Sequence, residues 1–207
     1  MKYCLPTIVS VLMAAAVPAS EENFVSLFDG KTLDGWKVSE NPASVKVEDG
    51  AIVTNGKRAH AYYVGKVEGA KFKDFELRLE VKTDKNSNGG VYFHTHYREK
   101  GWPKEGYEIQ VNNTHSDWRK TGGLYGVQDR KTSFADGEWM DYRILVVGKT
   151  ITAWINGEKT VGYTEPEDLQ RTSPRIAKDG ATVALQAHDP GSTVRYRNIR
   201  IRPLPRE

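Results

Sequence analysis

Three short stretches place side chains capable of chemistry two residues apart. Tyr107-Glu108-Ile109-Gln110-Val111-Asn112 alternates apolar residues with a carboxylate and two amides. In an extended strand, alternate side chains share one face about 6.5–7 Å apart. Glu108 there suits a general base, a metal ligand or an acceptor for a sugar hydroxyl; its plain alternative is a cross-strand ion pair. In Val91–Tyr97, the residues Val91, Phe93, Thr95 and Tyr97 fall on one side and Tyr92, His94 and His96 on the other. His94 and His96, joined by Glu108 from an adjacent strand, would make a divalent-metal site; without the metal they are polar surface. The third stretch sets Val183, Leu185 and Ala187 opposite Ala184, Gln186 and His188, and His188 ends it in the turn His188-Asp189-Pro190-Gly191. Loops at sheet ends carry function, so His188 is a candidate base as well as a turn-stabilising side chain. A solvated strand face normally holds Lys, Glu, Thr and Ser. These faces hold His, Gln, Glu and Asn beside aromatics, which is the inventory of a binding site.

Other chemistries lack their residues. No G-x-S-x-G elbow is present for Ser/His/Asp catalysis. The paired carboxylates of sandwich-fold glucanases need a second acid close along the strand, and Glu108 is followed by Gln110, Asn112 and Asn113. Asn88-Gly89-Gly90 precedes a strand and not a helix N-terminus, so it is no phosphate loop.

The elements that must position these residues read as strands throughout. Asp49-Gly50 between Val45-Val47 and Ile52-Val53 is a hairpin signal, and Gly148-Lys149 and Asn156-Gly157 make Met140 to Thr160 a meander. Further strands are expected over Phe75–Lys82, Val91–Tyr97, Tyr107–Asn112, Gly123–Val127, Met140–Val147, Thr150–Ile155, Ala181–Ala187 and Thr193–Ile201, the last alternating Arg195 and Arg197 with Val194 and Tyr196. Glu165–Arg171, with Pro166 near its start, is the one expected helical turn. Turns every 8–12 residues point to an all-β antiparallel sandwich or jelly roll.

Composition narrows the setting. Of 207 residues, 30 are Lys or Arg and 27 Asp or Glu, a formal charge of +3 with no basic stripe for nucleic acid. Lys2, the apolar run from Leu5 to Val17 and the small residues of Val17-Pro18-Ala19 form a secretory leader expected to be cut near Ala19. Residues 20–207 would then be a single secreted or periplasmic domain. The run is too short to span a membrane, so no spanning segment is expected. The one cysteine, Cys4, lies in the leader. That removes disulfides, a thiolate nucleophile and Cys-ligated zinc.

Thirteen residues, Phe24-Val25-Ser26-Leu27-Phe28-Asp29-Gly30-Lys31-Thr32-Leu33-Asp34-Gly35-Trp36, resemble the opening signature of the 3-keto-disaccharide hydrolase domain family. The resemblance continues through Asp74-Phe75-Glu76-Leu77, Asn88-Gly89-Gly90-Val91-Tyr92-Phe93, Gly106-Tyr107-Glu108-Ile109-Gln110 and Thr121-Gly122-Gly123-Leu124-Tyr125-Gly126. It ends with Gly137-Glu138-Trp139, Ile155-Asn156-Gly157, Leu185-Gln186-Ala187-His188-Asp189 and Arg197-Asn198-Ile199. The ordered set spans the chain beyond the leader and is specific where each piece alone is weak. It implies a concanavalin A-like lectin/glucanase jelly roll in a secreted bacterial protein acting on sugars whose C3 hydroxyl is a ketone. By that similarity Glu108, Gln110, Tyr125, His188 and Arg197 match the family's recurrent polar positions. Many members carry an arginine after the Val-Phe-Phe segment, and this chain has His94-Thr95-His96 there.

The implied chemistry needs no oxocarbenium ion. A ketone at C3 acidifies the C2 proton; a base removes it, the enolate expels the C1 oxygen, and water adds to the enone. Glu108 or His188 is the expected base, with His94 as a further catalytic candidate. Arg197, Gln110, or a divalent ion held by His94, Glu108 and His188 would stabilise the enolate. Trp102 or Trp118 would stack on a sugar ring, and Tyr125, His96 and Asn112 complete the expected carbohydrate contacts. A non-catalytic lectin-like binder and a lyase that releases the enone are the competing readings.

Overall fold

The computed structural model describes residues 23–169 and 175–205. The expected leader, with its cut near Ala19, lies outside the described residues. The strands are β1 (Val25–Ser26), β2 (Trp36–Val38), β3 (Val45–Glu48), β4 (Ala51–Asn55), β5 (Ala59–Tyr63), β6 (Phe75–Thr83) and β7 (Asn88–Thr95). There follow β8 (Tyr107–Asn112), β9 (Met140–Val147), β10 (Thr150–Ile155), β11 (Glu158–Thr164), β12 (Thr182–Ala187) and β13 (Thr193–Pro203). Helical structure among the described residues is confined to the 3₁₀ turns Pro42–Ser44 and Val67–Ala70. No helix there is long and apolar enough to cross a membrane.

The strands form two antiparallel sheets. One runs β11-β10-β9-β6-β13-β4-β3 with β1 on β13, the other β2-β5-β12-β7-β8. Turn chemistry sets the local pairings. Asp49 and Gly50 both adopt positive φ (49° and 74°), the primed turn whose twist matches the β3–β4 hairpin, and Asn156-Gly157 does the same between β10 and β11. The core lies between the sheets: Val91, Phe93, Ile109, Val111, Val183 and Leu185 from the smaller face Leu77, Leu79, Tyr142, Ile144, Tyr196 and Ile201 from the larger.

The outer faces differ. In β9, Met140, Tyr142, Ile144 and Val146 are buried while the alternate residues reach outward, the pattern of a sheet with one wet side. Every residue of β7, β8 and β12 is buried, so the smaller sheet is covered on both sides. Loops form that second cover. The 96–106 loop is tied down by Glu40, whose N–H donates to the Glu99 carbonyl (2.9 Å) and whose carboxylate accepts from Gly101 N–H (3.1 Å). The polar residues on these strands are therefore enclosed, which is what a site requires.

Two expected elements differ. The strand expected over Gly123–Val127 is a looped turn: its backbone bonds to Gln110 and Glu108, but Gly122 and Gly126 (φ 84° and 67°) bend the chain on either side, leaving isolated bridges at Leu124. The strand expected over Val91–Tyr97 is displaced to Asn88–Thr95 and carries a bulge. Thr182 pairs with Thr95 and Val183 with Phe93, so His94 is the extra residue, in the left-handed region at φ 53°. A bulge resets the alternation, and Tyr97 packs with Tyr62, Tyr92 and Ala184 on the face opposite the one that strict alternation assigns. The turn expected over Glu165–Arg171 begins at Pro166–Leu169, where Leu169 N–H reaches the Pro166 carbonyl (3.3 Å); the rest lies outside the described residues.

Candidate functional site

A cleft of about 400 Å³ opens on the outer side of the smaller sheet. Its floor is built strand by strand. Tyr92 of β7 sits directly across from Glu108 of β8, Gly90 from Gln110, and Asn88 from Asn112. Gln186 arrives from β12, with His60 of β5 opposite it. Gly90 makes the arrangement possible, because a Cβ there would lie 2.1 Å from Glu108 Oε1. The missing side chain is the space the carboxylate occupies.

Burial dominates the electrostatics. Desolvation pushes the Glu108 carboxyl up to about 8; a hydrogen bond from Tyr92 works against this, and the negative charge of Asp117 adds to it. Tyr92 is itself raised by burial and then by the Glu108 charge. Its hydroxyl accepts from Gln186 Nε2 at 3.0 Å and so has its proton free for Glu108. Glu108 is thus a carboxylic acid near neutrality, able to give up a proton inside a polar floor.

His188 forms one wall. Its Nδ1 lies 2.8 Å from Asp189 Oδ2, which makes Nε2 the basic nitrogen of a ring lining the cleft. Burial would raise the Asp189 carboxyl, but donors from Ser192 Oγ (2.7 Å), His188 and Gly191 N–H (2.8 Å) hold it below its ordinary value. Asp189 therefore stays anionic and fixes the imidazole tautomer. Trp102 packs on the ring with centroids 5.4 Å apart, and Arg58 lies 5.1 Å from the Trp102 centroid. Tyr125, Asp117, Lys104, Glu105 and Arg175 also belong to the lining.

The expected site residues divide. Glu108, Gln110, His188, Tyr125 and Trp102 all line the cleft. Trp118 is not among the lining residues; it is half exposed and stacked on Arg119, whose guanidinium also lies 4.8 Å from the ring of Tyr125, which is. His96 is exposed and does not line the cleft; it pairs at 2.5 Å with Glu105, which does. Asn112 is buried as a loop anchor, its amide donating to the Asp117 and Arg119 carbonyls (2.9 and 2.7 Å). Arg197 belongs to the other sheet altogether: it bonds Glu80 at 2.6 Å and stacks 3.9 Å from the Trp139 centroid. It cannot stabilise an enolate in the cleft.

His94 needs the largest correction. The bulge turns it toward Phe75, and both ring nitrogens are engaged: Nε2 donates to the Lys73 carbonyl (3.0 Å) and Nδ1 accepts from Ala177 N–H (3.2 Å). Burial lowers it to about 4, so it is a neutral structural histidine. The metal set of His94, Glu108 and His188 does not assemble. Another trio, His115, His188 and Asp189, has ligand atoms within 4.8 Å of one another. A metal on its His115 Nε2 would require a proton on Nδ1, where the Asp117 N–H already points at 3.2 Å. The donor set therefore fits an ion poorly.

Several site residues carried little sequence signal. Tyr92 and Gln186 share the polar faces by alternation alone, whereas His115 and Asp117 sit in a loop without periodicity. His60 is enclosed by Tyr92 and Trp102, and burial drives it down to about 3.

Residues 23–202 match the 3-keto-alpha-glucoside-1,2-lyase-like domain family. A 3-keto-disaccharide hydrolase of Bacteroides thetaiotaomicron is 25% identical over 236 residues, covering 91% of this chain and 81% of the relative. Among solved structures, a Parabacteroides distasonis protein provisionally described as a glycosyl hydrolase superposes with a TM-score of 0.75 at 24% identity, covering 89% of this chain and 95% of its own. The carbohydrate-binding module CBM66 of Bacillus subtilis shares the fold at 9% identity, with a TM-score of 0.59 over 81% of this chain and 95% of its own. The architecture is thus a lectin-type antiparallel jelly-roll sandwich.

Proposed function

This chain belongs to the 3-keto-alpha-glucoside-1,2-lyase-like domain family, and from that membership we propose that it cleaves the glycosidic bond of 3-keto-glycosides by elimination followed by hydration. The observation that carries this reading is the pairing, across one cleft, of an enclosed Glu108 with a His188 held by Asp189. One group is a proton donor near neutrality and the other a proton acceptor, which is the division of labour this chemistry needs.

His188 Nε2 removes the C2 proton, and the C2–H electron pair delocalises onto the C3 oxygen. The enolate collapses, the C1–O bond breaks, and the Glu108 proton goes to the departing oxygen. Water then adds to the enone: Glu108 takes a water proton, hydroxide bonds to C1, and His188 returns its proton to C2. Both residues end as they began. Tyr92, Gln110 and Gln186 orient the sugar, and Trp102 covers one edge. Following the leader reading, we place the protein outside the cytoplasm.

Incubating the protein with a 3-keto-glucoside and with the parent glucoside, with and without a chelator, tests the reading. Aglycone release from the keto sugar alone, unaffected by chelator, is expected, with transient enone absorbance. Enone that accumulates without hydration would make it a lyase. Release from the parent glucoside would overturn the mechanism in favour of Glu108 and Asp117 as a conventional carboxylate pair, and sugar binding without turnover would make it a lectin-like module.

A further inference from the structure

Two amide side chains on the floor, Gln110 and Gln186, are each 2% exposed, line the cleft, and have a carbonyl oxygen without a hydrogen-bond partner. A buried acceptor left unmade is costly, so its orientation matters. For Gln110 that orientation is dictated by a chain of hydrogen bonds that reaches it through Asn88. The Asp117 backbone N–H, which can only donate, points at His115 Nδ1 at 3.2 Å. Nδ1 must therefore carry a lone pair, and the His115 proton resides on Nε2, 3.9 Å from Asp189 Oδ2. The Asn88 atom beside Nδ1, at 3.4 Å, then has to be its NH₂ group. That turns Asn88 Oδ1 toward Gln110, where it accepts from Nε2 at 3.0 Å. Gln110 Oε1, on a residue that lines the cleft, is left as an unpaired acceptor. Flipping Asn88 would set acceptor against acceptor at His115, and flipping Gln110 would do the same at Asn88.

We propose that Gln110 Oε1 is a specificity-determining acceptor for a sugar hydroxyl flanking the keto carbon, locked in that polarity by the relay Asp117 N–H, His115, Asn88. The inference rests on the reading of the cleft as a 3-keto-glycoside site. A ketone oxygen only accepts, so it is excluded from this position and must lie toward a donor such as Tyr92. A hydroxyl satisfies Gln110, whereas its deoxy analogue leaves the carbonyl buried and unpaired. His115 and Asn88 are positioning residues: they set the polarity of Gln110.

The 2-, 4- and 6-deoxy analogues of a 3-keto-glucoside, assayed with the wild type and with Gln110→Met, decide the matter. The wild type is expected to lose roughly tenfold to a hundredfold in kcat/KM on the 2- or 4-deoxy substrate, and Gln110→Met to lose that discrimination. A uniform loss across all analogues in Gln110→Met, or a Gln110-dependent loss on the 6-deoxy substrate, overturns the proposal. ¹⁵N NMR of the wild type gives an independent reading of the relay. His115 is expected as the Nε2–H tautomer, and the Nδ1–H form refutes it. If no 3-keto-glycoside is turned over, the series is read as Kd by calorimetry. A Gln110-dependent loss there sustains the inference while the catalytic reading fails, and its absence overturns the inference as well.

Discussion

Replacing Glu108 with Gln removes a carboxyl that the fold holds protonated near neutrality. In the folded chain burial raises that group from its ordinary 4.5 to about 8. In the unfolded chain it ionises at the ordinary value. Between those two pH values the unfolded state gives up a proton that the folded state keeps, so wild-type stability falls as pH rises. The loss begins near pH 4.5 and ends near pH 8. At pH 7 the gap spans about two and a half units, each worth about 1.4 kcal/mol, so Glu108 costs the fold on the order of 3 kcal/mol there. Glutamine never ionises and retains a group for Tyr92 to bond. Urea denaturation of both proteins from pH 4.5 to 8.5 reads the difference directly, because His60 and His94 titrate alike in each and cancel. Glu108→Gln is expected to gain about 3 kcal/mol on the wild type between pH 4.5 and 7, roughly 6–12 °C in Tm for a chain of this size, and to level off above pH 8. The same variant is expected to lose about 10²- to 10⁴-fold in kcat while its Kd for the sugar stays within a few-fold. A stability difference that does not change with pH would refute the burial argument, and retained turnover would remove Glu108 from the chemistry.

Three further substitutions probe the placement of the site. Gly90→Ala puts a methyl 2.1 Å from Glu108 Oε1 and displaces the carboxylate; kcat should fall at least about tenfold for a stability cost of about 1–3 kcal/mol, and unchanged kcat would show that the carboxylate position is not critical. Arg197→Gln breaks an ion pair and a Trp139 stack on the opposite sheet; steady-state kinetics should show kcat/KM within about twofold and denaturation a cost of up to about 1 kcal/mol, so a tenfold kinetic loss would contradict its assignment outside the cleft. Trp102→Ala uncovers His60, which burial holds at about 3, so NMR titration should find that imidazole shifted up toward 6.5. Because the folded wild type refuses a proton that the unfolded chain accepts below pH 6.5, the variant should lose less stability on acidification, and an unmoved His60 would show that Trp102 is not what dries it.

Much of the site is visible in alternation. Glu108 and Gln110 lie two apart in a strand whose bounds, Tyr107–Asn112, match the expected ones, and period-two geometry alone puts them on one face. Gln186 and His188 follow by the same rule from β12. Alternation fails at His94, because a positive-φ bulge is a property of the pairing between β7 and β12 and leaves no periodic trace. It fails differently at Arg197 and Asn112, which lie in or beside correctly expected strands. Which sheet a strand joins, and which loop packs on its end, depend on pairing between distant segments, and local pattern carries none of that.

Residue types and their spacing, by themselves, determined the all-β class, the hairpin turns and the presence of a polar strand face with a binding-site inventory. Those follow from φ/ψ preference and side-chain direction, which are local. The tertiary structure decided that Glu108, Tyr92 and Gln186 share one dry floor, that His188 is backed by Asp189, and that His94 and Arg197 are elsewhere. It also decided protonation: a carboxyl at about 8 and a histidine at about 3 arise from burial by strands and loops far apart in the chain, and desolvation exists only once those parts have met.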